Sequence, residues 1–237
     1  MITSHHNPKL KEIRRLLRRH DGGRFVAEGE DLLAAADSAG WTPLERYVAG
    51  ENVEAEALAK VSALGSGTRA LAVYEERWTE RATGPLCVAL WGVHDPGNVG
   101  TVLRSALAFG ADSVAIGPDT ADPYGPKAVR ASMGAIFSVP LARVRAVDEL
   151  PGERVALVAR AGQPLRGRAA ATIVVGAERT GLPDEVVAAC ERIAHIPIAS
   201  ESLNAAMAAT VALYELTRIK HGGGAAERAG LDELTRP

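Results

Sequence analysis

Five polar residues stand where three apolar segments end. In "VHDPGNVGTVLRSALAFG", residues 93–110, Asn98 and Arg104 follow the apolar run "PLCVALWGV". In "TIVVGAERTGLPDEV", Glu178 comes just after a run that reads as a buried strand ending at Gly176. In "IAHIPIASESLNAAMAATVAL", strand residues 193–198 give way to a polar stretch that carries Ser202 and Asn204. An arginine, a carboxylate, two amides and a hydroxyl can hold charge and orient a polar ligand, and ligands bind open α/β sheets at the carboxyl ends of strands.

Each loop also has a plain account. Asn98 can be the N-cap of an ordinary helix with Arg104 on its surface. Glu178 can be solvated at a turn punctuated by Gly181 and Pro183. Ser202 can cap the last helix, which explains Ser202 well and Asn204 poorly. The glycines of the first loop, Gly97 and Gly100, suggest a dinucleotide-binding turn but do not fit G-x-G-x-x-G. A wheel of the following helix puts Val99, Val102, Leu103, Ala106, Leu107 and Phe109 on one side. Thr101, Arg104, Ser105 and Ala108 fall on the other, so Arg104 points away from the apolar face.

The elements that must position these residues form two parts without internal repeats. In the first, residues 8–20 alternate apolar and basic residues at helical spacing, with Leu10, Ile13, Leu16 and Leu17 as the buried stripe. A strand and a helix ending at Gly40 follow, then "LERYVAG", a helix around 53–64 and "RALAVYEER". Residues 79–85, "TERATGP", read as a linker. In the second part, strands are predicted at 86–93, 113–117, 154–160, 172–176 and 193–196. Helices are predicted at 99–109, 124–134, 183–190 and 202–219. Apolar strands alternating with helices predict a mostly parallel sheet covered on both faces. The last helix is apolar nearly all round, which predicts burial in the core or against another subunit. The glycine run "HGGG" stops it, leaving 222–237 as a tail.

The 237 residues are 47% hydrophobic, and no apolar run reaches the length of a membrane span. The N-terminus lacks the apolar core of a secretory signal. Cys87 and Cys190 lie far apart without Cys or His partners, so neither a metal site nor a disulfide framework is expected. The expected compartment is the cytoplasm. Net charge is −2, but unevenly spread. Residues 1–24 carry seven bases against two acids, and residues 25–80 eleven acids against four bases. Such asymmetry suggests an anionic partner for the N-terminus, although a solvated helix face accounts for it too.

Taken together, "NVGTVLRSALAFG", "IVVGAERTGL" and "IPIASESLNAAMAATVAL" resemble, in order, the three motifs of the SpoU/TrmH family of RNA ribose 2′-O-methyltransferases, within the SPOUT superfamily. "PKAVRASMGAIFSVP" is similar to the family's intervening segment. The resemblance covers residues 86 to about 220. "FVAEGEDLL" resembles the small α/β ribosomal-protein-like (L30e-like) domain that precedes the catalytic domain in many members. The resemblance implies an RNA-binding domain at 1–80, and a SPOUT-type α/β methyltransferase domain at 85–221 with a parallel sheet and a deep trefoil knot. It also implies S-adenosylmethionine as cofactor, a homodimer, and RNA, most of all ribosomal RNA, as partner. By motif, Gly176, Ala177, Ile196, Pro197 and Leu203 would touch the cofactor, largely through backbone. Arg104, Asn98, Glu178, Ser202 and Asn204 would form the catalytic constellation, with Arg104 either a base or a clamp for charge. Arg14, Arg15, Arg18 and Arg19 would meet RNA phosphates.

Two rival readings stay open on sequence alone. One is an ordinary nucleotide-dependent Rossmann enzyme, with Asp119 as its ribose-binding acid. The other is a non-catalytic RNA-binding or ribosome-assembly factor on the same fold. The same chemistry on transfer RNA is a further alternative.

Overall fold

Apolar residues at helical spacing make α1 (Pro8–Arg18), which buries Leu10, Ile13 and Leu16. Leu17 is only partly buried against them. The computed structural model describes residues 1–18, 23–63, 67–166 and 170–221. After α1 come β1 (Arg24–Glu28), α2 (Glu30–Ser38), β2 (Glu45–Val48), α3 (Ala55–Ala59) and β3 (Ala70–Glu75). The three strands form an antiparallel sheet in the order β1-β3-β2. The period-two pattern sends Val26, Leu71 and Val73 toward α1 and α3. Phe25, Ala72 and Tyr74 point the other way, into the main core. The helix expected around 53–64 is thus only the short α3.

Segment 79–85, expected to be a linker, is tied down along its length. Thr79 bridges to Ala142, and its N–H donates to the Leu141 carbonyl at 2.7 Å. The Thr83 N–H donates to Ser113 Oγ at 3.0 Å. One apolar cluster runs across this junction, with the rings of Phe25, Trp41, Tyr74, Tyr124 and Phe137 meeting at 4.8–6.2 Å. The Trp41 indole N–H donates to the Phe137 carbonyl at 2.7 Å.

The second part runs β4 (Leu86–Leu90), α4 (Pro96–Ala108), β5 (Ser113–Ile116), α5 (Pro126–Ala131), β6 (Leu141–Arg143) and β7 (Glu153–Leu157). It continues β8 (Gln163–Pro164), β9 (Ala171–Val175), α6 (Asp184–Ala188), β10 (Arg192–His195) and α7 (Ala205–His221). The seven strands pair in the order β6-β5-β4-β9-β7-β10-β8, every pairing parallel. Leu86, Val88 and Leu90 of β4 face one apolar cluster, and Cys87 and Ala89 face another on the opposite side. Covering on both faces explains why these strands read as unbroken apolar runs rather than alternating ones. β6 and β8 were not legible, being three and two residues long.

The boundaries differ from the expected ones for local reasons. α4 begins at Pro96, with Asp95 as N-cap accepting from the Gly97 N–H at 2.8 Å. An aspartate followed by proline at the first helical position starts a helix better than Asn98 does. α5 stops early because Met133 and Gly134 both adopt positive φ, and a 3-10 turn follows. Within α4, Leu107 is exposed, whereas Ser105 is buried and bonds Thr210 of α7 at 2.6 Å. The buried Gly100 answers for its glycine. A Cβ there would lie 2.3 Å from the Ala128 carbonyl oxygen, so α4 and α5 approach backbone to backbone. The glycine serves helix packing, not a phosphate.

Nor is α7 buried all round. It packs on α4 and β9 through Ala205, Ala209, Ala212, Leu213 and Leu216. Met207, Val211 and Tyr214 form an exposed stripe, 58%, 39% and 55% accessible. Among the described residues, no helix is long and apolar enough to cross a membrane.

Candidate active site

β4 and β9 are neighbours at the centre of the sheet, so the loops leaving their carboxyl ends meet. The first loop delivers Asn98 in the opening turn of α4. The second runs from Gly176 to Leu182 and closes on itself, Ala177 and Gly181 exchanging backbone hydrogen bonds at 3.1 and 3.0 Å. A Cβ on Gly176 would lie 2.4 Å from the Gly181 carbonyl carbon, so only glycine permits this closure. The tip of the closed loop carries Glu178. The third loop, from Ile196 to Asn204, leads into α7.

Asn98 joins all three. Its Nδ2 donates to Glu178 Oε1 at 2.6 Å, and its Oδ1 accepts from Asn204 Nδ2 at 3.1 Å. Asn204 in turn caps α7, its Oδ1 accepting from the N–H groups of Ala206 and Met207 at 2.9 and 3.3 Å. The cap is therefore Asn204 and not Ser202. One chain of hydrogen bonds thus runs from the positive end of α7 through two amides to a carboxylate. Each amide is fixed by a partner on either side.

Beside this junction a cleft of about 550 Å³ opens at the carboxyl ends of β7, β9 and β10. Leu157, Val175, Leu182, Val187, Ile196 and Leu203 give it apolar walls. Gly176, Ala177, Glu178 and Ser202 line it as well, together with Arg179 and Asp184, two charged residues that the sequence did not single out. Pro197 does not line it. It lines a separate groove with Leu165, Arg166 and Val211, and Ile196 borders both.

Arg104 lies apart from the junction. Six residues beyond Asn98, it is about 240° further round the helix and exposed. No hydrogen bond or ion pair holds its guanidinium among the described residues. Of the N-terminal arginines, Arg14 donates to the Lys60 carbonyl at 2.9 Å, while Arg15 and Arg18 are exposed and Arg19 lies outside the described residues. The tail 222–237 is outside them too. Burial pushes the Cys87 and Cys190 thiols up, so neither is disposed to act as a thiolate.

All three loops fall within residues 85–214, which match the SpoU rRNA methylase family model over more than half the chain. The chain belongs to the SpoU rRNA methylase family. Among its curated relatives is the 23S rRNA (guanosine(2553)-2′-O)-methyltransferase RlmP of Bacillus subtilis, 28% identical over 91% of this chain and 98% of that one. A 23S rRNA (uridine(2479)-2′-O)-methyltransferase of Streptomyces viridochromogenes is 37% identical over 54% of this chain and 50% of its own length. The fold matches the AdoMet-bound rRNA methyltransferase of Sinorhizobium meliloti with a TM-score of 0.82 at 28% identity, covering 92% of this chain and 97% of that one. SpoU membership overturns the ordinary Rossmann reading, and the α/β fold with its parallel sheet is the one these relatives share.

Proposed function

We propose that this chain is an S-adenosylmethionine-dependent methyltransferase that methylates a ribose 2′-hydroxyl of ribosomal RNA. The observation that carries the reading is the Glu178–Asn98–Asn204 junction, set against an apolar cleft on the same edge of the sheet. The Bacillus subtilis and Streptomyces viridochromogenes relatives act on 23S rRNA at a 2′-oxygen, and the Sinorhizobium meliloti structure is AdoMet-bound.

The cleft fits the cofactor. Its volume is that of a small-molecule site, and Gly176, Ala177, Ile196, Ile198, Ser202 and Leu203 line it. Those residues would hold it, with apolar walls around an adenine and backbone groups for its polar edge. When bound, S-adenosylmethionine supplies the methyl group. The chain's own residues then align and control charge. Asn98, locked from both sides, orients the ribose. Glu178 fixes that amide rather than Arg104. Ser202, at the cleft wall, bounds the third loop. Arg104 clamps a phosphate and stabilises the negative charge that develops on the ribose oxygen as its proton passes to solvent, because a guanidinium keeps its charge and offers a bidentate fork.

We read the native form as a homodimer closed over α7. The exposed stripe of Met207, Val211 and Tyr214 supports this. Arg104 shares its helix face with the exposed Leu107, so dimerisation would bring its charge to the rim of a site. The chain leaves β9, reaches β10 beyond β7 and returns over β9 and α4 as α7, a path consistent with a trefoil knot. Residues 1–80 serve as a ribosomal-protein-like RNA-binding domain, with the exposed Arg15 and Arg18 on its surface to meet phosphates. The cytoplasm is the compartment that this reading implies.

Methyl transfer from labelled S-adenosylmethionine to unmodified ribosomal RNA tests the proposal. Label should appear on a ribose 2′-oxygen and vanish when the target carries a 2′-deoxyribose. Binding of RNA without transfer would instead make the chain an assembly factor.

A further inference from the structure

A second groove, of about 500 Å³, lies at the carboxyl ends of β5 and β6. Its chemistry is unlike that of the cofactor cleft. Trp78 forms one wall, and the Arg143 guanidinium lies over the indole, 4.2 Å from the ring centroid. The indole is held from its edge as well. Its N–H donates to Glu76 Oε2 at 2.6 Å, and the Tyr124 ring meets it at 78°. Glu76 is itself anchored, 4% exposed, accepting from the Gly23 N–H at 2.9 Å and lying 3.6 Å from Arg143. Arg143 is nonetheless 65% exposed, so one face of its planar group rests on Trp78 while the rest is open. Arg145, two residues on and exposed, also lines the groove. Asp122 lines it too, with its Oδ1 taken by the Tyr124 N–H at 2.9 Å. Glu149 accepts the backbone N–H groups of Arg145 and Ala146, at 3.0 Å each.

The groove is continuous with the active-site edge. The loop after β5 is hydrogen-bonded to the loop that leads to Asn98, Gly92 N–H to the Pro118 carbonyl at 3.0 Å and Ala121 N–H to the Val93 carbonyl at 2.8 Å. From β9 to β6 is three strand spacings, about 14 Å. A single strand of RNA laid along this edge would span both sites within a few nucleotides.

We propose that this groove is a nucleotide subsite, which seats an unpaired base flanking the methylated nucleotide. The inference rests on the RNA methyltransferase reading above. The base stacks on the open face of the Arg143 guanidinium, making a sandwich backed by Trp78. Arg145 meets the adjoining phosphate. Planar guanidinium and aromatic groups are the platforms that hold splayed bases, and they tolerate any base because each has a π-face. The anchoring of Trp78 and Glu76 keeps the platform assembled before RNA arrives, which lowers the ordering cost of binding.

The test is filter-binding of an unmodified in vitro transcript of the large-subunit ribosomal RNA to the full chain, at several salt concentrations. Arg143→Ala/Arg145→Ala should bind roughly tenfold or more weakly, with a salt slope smaller by about one for the lost phosphate contact. Its KM for RNA should rise by the same factor, while kcat at saturating RNA and the affinity for S-adenosylmethionine stay unchanged. Trp78→Phe should retain most of the binding and Trp78→Leu should lose it. A double variant with wild-type affinity, salt slope and RNA KM overturns the subsite and leaves the catalytic reading standing. So does a fall in kcat at unchanged KM. A wild-type chain that neither binds nor methylates this transcript or transfer RNA overturns the reading on which the subsite depends.

Discussion

Asn98 donates its amide N–H to Glu178 across 2.6 Å, although the two residues are 80 positions apart. The bond ties the first turn of α4 to the tip of the closed 176–182 loop. Asn98→Ala should lower the methyl-transfer rate by roughly a hundredfold, since the group orienting the reacting hydroxyl is gone. Half-burial limits the stability loss to about 1 kcal/mol. Glu178→Gln should cost less than Asn98→Ala, because an amide oxygen still accepts. A double-mutant cycle on the transfer rate should be clearly non-additive, and additive losses would mean that the two residues act separately.

Asn204 performs two tasks that one substitution separates. Asn204→Ala removes the cap of α7 and should cost about 1 kcal/mol in denaturant unfolding, besides lowering activity. Asn204→Asp keeps an acceptor at the helix N-terminus, where negative charge is favoured, but loses the N–H given to Asn98. It should melt like the parent and still transfer methyl slowly. Full activity in Asn204→Asp would show that the bond to Asn98 is dispensable.

Arg104 is exposed and has no hydrogen-bond or ion-pair partner among the described residues, so Arg104→Ala should change stability by no more than about 0.5 kcal/mol. Its transfer rate should fall by roughly a hundredfold, with calorimetric affinity for S-adenosylmethionine unchanged. Arg104→Lys restores the charge without the fork, and partial rescue marks a clamp that works by charge. A base would instead move the pH–rate profile to lower pH in the lysine variant. Wild-type turnover of Arg104→Ala would make it a surface arginine.

Gly176→Val cannot leave its surroundings undisturbed, because the new Cβ would meet the Gly181–Leu182 backbone at 2.4–2.5 Å. The variant should fold, since its loop is at the surface, but with the 176–182 segment opened. Hydrogen exchange at Ala177 and Gly181 should speed up while that of β9 stays slow. Cofactor binding should be lost in calorimetry. Binding retained alongside an opened loop would place the cofactor elsewhere.

Val211→Glu/Tyr214→Glu puts two charges on the exposed stripe of α7. Multi-angle light scattering should show a dimer for the parent and a monomer for the variant at micromolar concentration, with the far-UV spectrum preserved. A monomeric parent would remove the dimer from the proposal.

Most of the longer elements and the order of the loops were legible in the residues alone. Runs such as "LCVAL" and "TIVV" could only be strands buried on both faces, and the helices between them forced a parallel sheet. The apolar stripe of α1, the glycine stop at Gly40 and the three polar loops at strand ends were legible, because each rests on local spacing. The caps were legible only in type. Asp95 and Asn204 won over Asn98 and Ser202 because proline and the free N–H groups of the following turn select the cap. β6 and β8 were hidden, since two or three residues carry no period.

Which polar residues meet is set by long-range packing. Asn98, Glu178 and Asn204 come together because β9 inserts beside β4, a pairing of segments some 80 residues apart that no local pattern encodes. The same packing separates Arg104 from them and turns Pro197 out of the cleft. It also ties residues 79–85 to the large sheet, where composition alone suggested a linker. Periodicity reports which face of an element is buried. It does not report which other element buries it, because that choice is made by long-range packing across the whole core.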